Sequence, residues 1–184
     1  MEAPIKILGI CGSLRRASIN HGLLRAAQQL APEGVAIEIF DLGCIPPFNQ
    51  DDEGNPPAIV TEFKARIRAA DAILMATPEY NHSIPGVLKN AIDWASRPPG
   101  DNSWAGKPAA MMGASPGMVG TARAQCHLRE VFVNLDLHTF NKPEAAISLS
   151  GQRCDAEGNL TDEKSRQVVG KQVEALVALT RKLK

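Results

Sequence analysis

Gly9-Ile10-Cys11-Gly12-Ser13-Leu14-Arg15-Arg16-Ala17-Ser18-Ile19-Asn20 decides the fold, because it marks a strand passing through a polar loop into a helix. The apolar run Ile5–Cys11 has the character of a buried parallel strand. From His21 onward, Leu23, Leu24, Ala27 and Leu30 recur at helical spacing. The loop between them combines Gly, hydroxyls, Arg and Asn. A helix N-terminus offers unpaired backbone N–H groups and the positive end of a dipole, so such a loop suits an anion. Ser13, Ser18 and Asn20 can add neutral hydrogen bonds, and Arg15 or Arg16 a charge-assisted one. The plainer alternative is an ordinary β–α turn in which Ser18 or Asn20 only caps the helix.

The same loop excludes other ligands. It lacks the Lys-Ser/Thr pair of a P-loop, which argues against a magnesium-bound triphosphate. It also lacks Gly-x-Gly-x-x-Gly, which brings backbone against a pyrophosphate. Three hydroxyl or amide side chains and an Arg suit the three free oxygens of a terminal phosphomonoester, and FMN is the commonest cofactor that ends in one.

Outward from this stretch, strands and helices alternate. Val35–Phe40 alternates as a second strand, and a Pro- and Gly-rich loop runs from Asp41 to Pro57. Ile59, Phe63, Ile67 and Ala70 stripe a helix, and Ala72–Ala76 is a short strand stopped by Pro78. A helix is expected over Gly86–Ser96, a fourth strand over Pro108–Gly113, a helix from near Gly120, and a weaker fifth strand between Leu137 and Ile147. Cys154 to Thr161 reads as a surface hairpin or loop, and Val169, Val173, Leu176, Val177 and Leu183 stripe the last helix. This order predicts one α/β domain over residues 1–184, with an open parallel sheet covered on both faces. Ligands on such sheets bind outside the C-terminal strand ends, at the switch point.

Two more loops reach that edge. Thr77-Pro78-Glu79-Tyr80-Asn81-His82-Ser83-Ile84-Pro85-Gly86 is fixed by two prolines, and its amides are free to face a ligand edge of alternating carbonyls and N–H groups. Tyr80, the only tyrosine, can flank a planar ring; alternatively it packs on the core rim. Ala114-Ser115-Pro116-Gly117-Met118-Val119-Gly120 has small residues that let a ligand lie against backbone; alternatively it is a simple turn.

Composition narrows the function classes. The chain has 184 residues, with Lys plus Arg and Asp plus Glu both 20, so nothing in its charge recruits nucleic acid or an anionic membrane. No apolar run reaches the ~20 residues of a membrane span, and Met-Glu-Ala-Pro lacks the features of a signal peptide, so a cytoplasmic location is expected. Cys11, Cys44, Cys126 and Cys154 form no C-x-x-C, which excludes zinc and thioredoxin-like readings; no metal site is expected.

Gly12-Ser13-Leu14-Arg15 with Ser18 and Asn20, Thr77-Pro78-Glu79-Tyr80-Asn81 with Ser83 and Pro85-Gly86, Leu88 to Trp94, and Gly106-Lys107-Pro108 together resemble the NAD(P)H-dependent FMN reductases. The likeness is to their bacterial quinone and chromate reductase branch and runs from Ile5 to about Glu144. It implies a flavodoxin-like fold with a five-stranded parallel sheet in the order 2-1-3-4-5, non-covalent FMN, and a homodimer or homotetramer. It assigns Ser13, Arg15, Ser18, Ile19 and Asn20 to the FMN phosphate; Pro78, Glu79, Tyr80 and Asn81 to the flavin ring; and Ser115 and Gly117 to its other side. Some relatives carry aromatic residues at the positions of His82 and Cys126, which bears on contacts between subunits. The implied reaction is a hydride relay through flavin N5, from NADPH or NADH to a small-molecule acceptor such as a quinone, azo or nitro compound, or chromate. No catalytic side chain is needed. A flavodoxin-like electron carrier is the alternative, but such carriers are usually strongly acidic, unlike this chain. A nicotinamide dehydrogenase using Asp41 is the other, disfavoured by the missing Gly-x-Gly-x-x-Gly.

Trp94 and Trp104, near one end of the sheet, suggest a surface buried between subunits. Arg123 and Glu144 are candidate ionic partners across a second interface.

Overall fold

Seven consecutive residues, Ile5–Cys11, form the strand β1 at the heart of the sheet. The computed structural model describes residues 4–184; the first three residues of the stretch read above for a leader lie outside them. The helix α1 (Ile19–Leu30) leads to the edge strand β2 (Val35–Phe40), and α2 (Ala58–Ala69) to β3 (Ala72–Ala76). Next come α3 (Gly86–Ala95), β4 (Ala109–Ala114), α4 (Ala122–Leu135), β5 (Ala146–Ile147) and α5 (Glu163–Leu183). All neighbouring strands pair parallel, in the order β2-β1-β3-β4-β5, as expected of a flavodoxin-like sheet.

Burial follows the two-residue period of a strand and divides the core in two. Leu8 and Ile10, Ile73 and Met75, and Ala109 and Met111 face α2, α3 and α4. Ile5, Ile7 and Cys11, Ala72, Leu74 and Ala76, and Ala110, Met112 and Ala114 face α1 and α5. Every residue of β3 and β4 is buried, so these strands read as continuous apolar runs. Four alanines on the second face let α1 and α5 lie close to the sheet and aim the start of α1 at the end of β4.

One expectation is corrected. The tryptophans do not mark a subunit surface: Trp94 is 2% and Trp104 0% exposed, both inside the first core. Trp94 donates its indole N–H to Pro46 O at 2.8 Å and meets Phe48 edge-on, while Trp104 donates to Ile92 O and meets Phe63. The weaker fifth strand expected between Leu137 and Ile147 is found at Ala146–Ile147 and is only two residues long. Its neighbourhood is split, because Pro108 already bridges His138 and the chain then leaves the sheet through Asn141-Lys142-Pro143 before Ala146. Pro143 has no N–H to give a ladder.

The segment after β5, expected to be a surface hairpin or loop, is a hairpin closed by an antiparallel bridge from Cys154 to Leu160. It also presses on the start of α1. A Cβ on Gly22 would lie 1.8 Å from Gly158 O, and Gly158 itself has φ +78° with Ala17 O close by. Arg25 Nε donates to Asn159 Oδ1 at 2.8 Å across the same contact. The hairpin thus buttresses the loop that precedes α1.

Candidate functional site

The loop after β1 is fixed from both ends. Gly12 N–H donates to Ala76 O at 2.8 Å, and the His21 ring shares a hydrogen bond of 3.0 Å with Ser13 O. Ser18 is the N-cap residue of α1 in extended conformation, yet its side chain makes no cap bond to the helix. The capping alternative is therefore not used. Its hydroxyl instead lies by the Cys11 thiol, whose burial outweighs bonds from Ser13 and Ser18 and pushes it up to about 11, so the thiol stays neutral. The first turn of α1 carries no acidic side chain. Its N–H groups thus open onto the cleft with no competing negative charge. Ser13 and Ser18 are buried there, and Arg15 is exposed, its guanidinium resting on Ala17 O at 3.0 Å.

Asn20 has a different task from the one its side chain suggests. Its Nδ2 donates to Ala114 O at 3.0 Å, and its Oδ1 accepts from Ala114 N–H at 2.9 Å. This two-point clamp ties α1 to the end of β4 and leaves the backbone N–H as the part of Asn20 available to an anion.

The loop after β3 carries a tight reversal. Tyr80 and Ser83 exchange two backbone hydrogen bonds of 3.1 and 3.0 Å around Asn81 and His82, both with positive φ. That is the backbone of a primed hairpin turn, and Asn and His are among the residues that tolerate it. Tyr80 is 51% exposed, so it does not pack on the core rim. The Glu79 carboxylate accepts N–H bonds from Arg123 and Ala124, each 3.0 Å, and pairs with the Arg123 guanidinium. Burial works against its charge, but the bonds from Ala124 and Arg123 win and hold it below the usual carboxylate range. Glu79 thus caps α4. Within the chain Arg123 pairs with Glu79, and Glu144 pairs with Lys142.

In the loop after β4, the Ser115 hydroxyl donates to Gly120 O at 2.8 Å and accepts from Gly117 N–H at 3.2 Å. The loop is bound to the chain after β5 by Leu149 N–H to Gly117 O and Ser150 N–H to Ser115 O, both 3.1 Å.

One cleft at this edge is lined by Ser13, Arg15, Ser18, Ile19 and Asn20, by Pro78, Glu79 and Tyr80, and by Ala114, Ser115 and Pro116. Asn81 and Gly117 lie outside its lining, in the hairpin turn and the β4 loop. Ser150 also lines it, a residue no sequence motif singles out. A phosphomonoester fits the end at α1: short hydroxyls, first-turn amides and an exposed Arg face it, and the one carboxylate in the lining is neutralised by Arg123. Among the described residues no group of His, Cys, Asp and Glu could hold a metal. No described helix is long and apolar enough to cross a membrane.

Residues 5–152 match the family model for NADPH-dependent FMN reductase. The NAD(P)H-dependent FMN reductase PA1204 of Pseudomonas aeruginosa is 53% identical over 186 residues, covering 100% of both chains. The NAD(P)H:quinone oxidoreductase of Solanum tuberosum is 48% identical over 190 residues, covering 100% of this chain and 96% of its own. Among solved structures, the flavoenzyme NAD(P)H:(acceptor) oxidoreductase FerB from Paracoccus denitrificans superposes with a TM-score of 0.88 at 40% identity, covering 97% of this chain and 98% of its own.

Proposed function

The chain belongs to the NADPH-dependent FMN reductase family, and from that premise we propose that it is an FMN-dependent NAD(P)H:quinone oxidoreductase whose cofactor lies in the cleft just described. The observation that carries this reading is the convergence of three loops on one edge, with an acid-free α1 N-terminus at one end and the rigid 78–81 backbone at the other. Ser13, Ser18, Arg15 and the amides of Ile19 and Asn20 hold the phosphate. Pro78, Glu79, Tyr80 and Asn81 border the ring through backbone and the Tyr80 face. Ser115 and Gly117 shape the opposite wall. When bound, FMN would supply the redox chemistry, the transfer of two electrons from NADPH or NADH to the acceptor.

The protein's part is to bind, orient and leave one side open. Leu14, Tyr80, Met118 and Val119 are exposed, and all belong to the three loops of the site. An apolar mouth of this kind receives a flat, weakly polar acceptor, which supports quinones; azo and nitro compounds and chromate are further acceptors for the same open face. The groove between α3 and α4 begins at Ser83 in the ring loop and includes Ile84 and Val131, with the exposed Val133 on the same helix. These residues support a homodimer or homotetramer in which a second subunit borders the flavin. The four free cysteines suit a reducing cytoplasm.

Steady-state kinetics of the FMN-loaded protein, with both nicotinamides and a panel of quinone, azo, nitro and chromate acceptors, tests the reading. Turnover with quinones is expected. A flavin-loaded protein that oxidises neither nicotinamide would instead be an electron carrier.

A further inference from the structure

Three buried polar side-chain atoms have no hydrogen-bond partner among the described residues: Ser103 Oγ, Ser150 Oγ and Gln172 Oε1. Only Ser150 lines the cofactor cleft. Burying a hydroxyl without a partner is unfavourable, so such a group calls for strain, a catalytic role, or a bound water, ion or ligand to account for it.

The position of Ser150 is tightly held. Its N–H donates to Ser115 O at 3.1 Å, its carbonyl accepts from Arg153 N–H at 3.1 Å, and its residue is 0% exposed. The preceding Leu149 has φ +49° and ψ +40°, a left-handed conformation that a leucine rarely adopts. That conformation delivers Ser150 to the end of β4. Asn20 clamps the same end through Ala114, one residue before Ser115. Ser150 is thereby tied, through Ser115, to the same β4 end that Asn20 joins to α1, and it lines the cleft there. The clamp also removes the Asn20 amide from the donors expected there, leaving the site one side-chain donor short.

We propose that Ser150 is a phosphate ligand of the bound cofactor, its hydroxyl donating to a phosphate oxygen in place of the Asn20 side chain. The proposal rests on the FMN reading above. A dianionic oxygen resolves the orphaned hydroxyl, with a donor supplied from beyond β5.

Ser150→Ala in the full chain tests this, with FMN and riboflavin affinities measured by titration and the thermal midpoint of the apo protein by calorimetry. Loss of one hydrogen bond to a charged group should weaken FMN about tenfold. Riboflavin, which lacks the phosphate, should bind both proteins equally. The apo midpoint should stay the same or rise, because the deleted hydroxyl has no protein partner. Ser150→Cys, similar in shape and a weak donor, should show the same pattern and decides the matter if the alanine variant does not fold. Unchanged FMN affinity overturns the proposal. So does an equal loss for FMN and riboflavin, which would place the hydroxyl on the ribityl chain or ring. A lower apo midpoint accompanying the loss would make Ser150 structural. A wild-type chain that binds no FMN would overturn the family reading itself, a failure distinct from wild-type binding that is indifferent to Ser150.

Discussion

Two glycines inside helices should respond to alanine with opposite signs. Alanine is favoured over glycine in a helix interior by about 1 kcal/mol, so helix propensity alone predicts that both Gly22→Ala in α1 and Gly170→Ala in α5 stabilise. At Gly170 nothing opposes this, since the nearest atom to an added Cβ is Leu30 Cδ1 at 3.9 Å, an ordinary contact. At Gly22 the Cβ would lie 1.8 Å from Gly158 O, and the hairpin would have to retreat by about 1.5 Å to restore contact distance. It cannot retreat freely. Leu160 is buried at its base, and Arg25 holds Asn159 at its tip. Overpacking of this kind typically costs about 1–3 kcal/mol. Set against the propensity gain, the net is a loss of up to about 2 kcal/mol, or up to roughly 8 °C in thermal midpoint for a chain of this size. Gly170→Ala should gain roughly 2–4 °C. Because Gly158 abuts Ala17, FMN affinity should also fall in Gly22→Ala and hold in Gly170→Ala. Calorimetry and flavin titration on both variants check this. A midpoint that rises in Gly22→Ala would show that the hairpin is not packed on α1 as described.

Arg15→Ala should weaken FMN about ten- to a hundredfold, the range of one charge-assisted hydrogen bond, and leave the midpoint unchanged because the side chain is exposed; titration and calorimetry decide it, and unchanged affinity would pass the role to Arg16. The flavin released from the purified protein should be FMN by mass spectrometry; FAD alone would contradict the phosphomonoester cradle. Glu79→Gln should lower stability by about 1 kcal/mol at neutral pH by weakening the cap of α4. Since the folded carboxyl lies below its ordinary value of about 4.3, the advantage of Glu79 is present above that pH and is lost as pH falls through the folded value. Melting curves of the two proteins should therefore converge in acid.

The strands and their order were legible because each carries a signal of its own. Ile5–Cys11 and Ala72–Ala76 are short apolar runs bounded by Gly or Pro, and alternation with amphipathic helices leaves few ways to assemble them. The loops at the sheet edge stood out because Gly, Ser, Asn and Pro accumulate there. The fifth strand was only roughly placed, since a two-residue ladder leaves no period to read. The tryptophans misled for a simpler reason. Their size and rarity suggested a second surface, but a domain with few aromatics can place both in one core, here against Phe48 and Phe63.

Side-chain roles were harder to read than places, because a sequence shows a donor or acceptor and not what competes for it. Asn20 stands where an anion ligand is expected, but its partner, Ala114, is 94 residues away. Glu79 borders the ring loop, yet it is held by the first turn of α4, 44 and 45 residues on. Both long polar side chains cross-link the loops of the site to one another: Asn20 joins the start of α1 to β4, and Glu79 joins the β3 loop to α4. The Ser115 hydroxyl bonds within its own loop, and the Ser115 carbonyl reaches Ser150. Amides of α1 and short serine hydroxyls remain for the cofactor. That division has a physical logic. Short groups on a fixed backbone lose little rotamer freedom on binding, whereas a free Asn or Glu side chain would have to be ordered by the ligand. A cleft whose walls are tied together before the cofactor arrives holds its donors in place at no further ordering cost. Ser150, silent in the sequence, carries a hydroxyl with no hydrogen-bond partner among the described residues, and by this logic it is the group proposed for the phosphate.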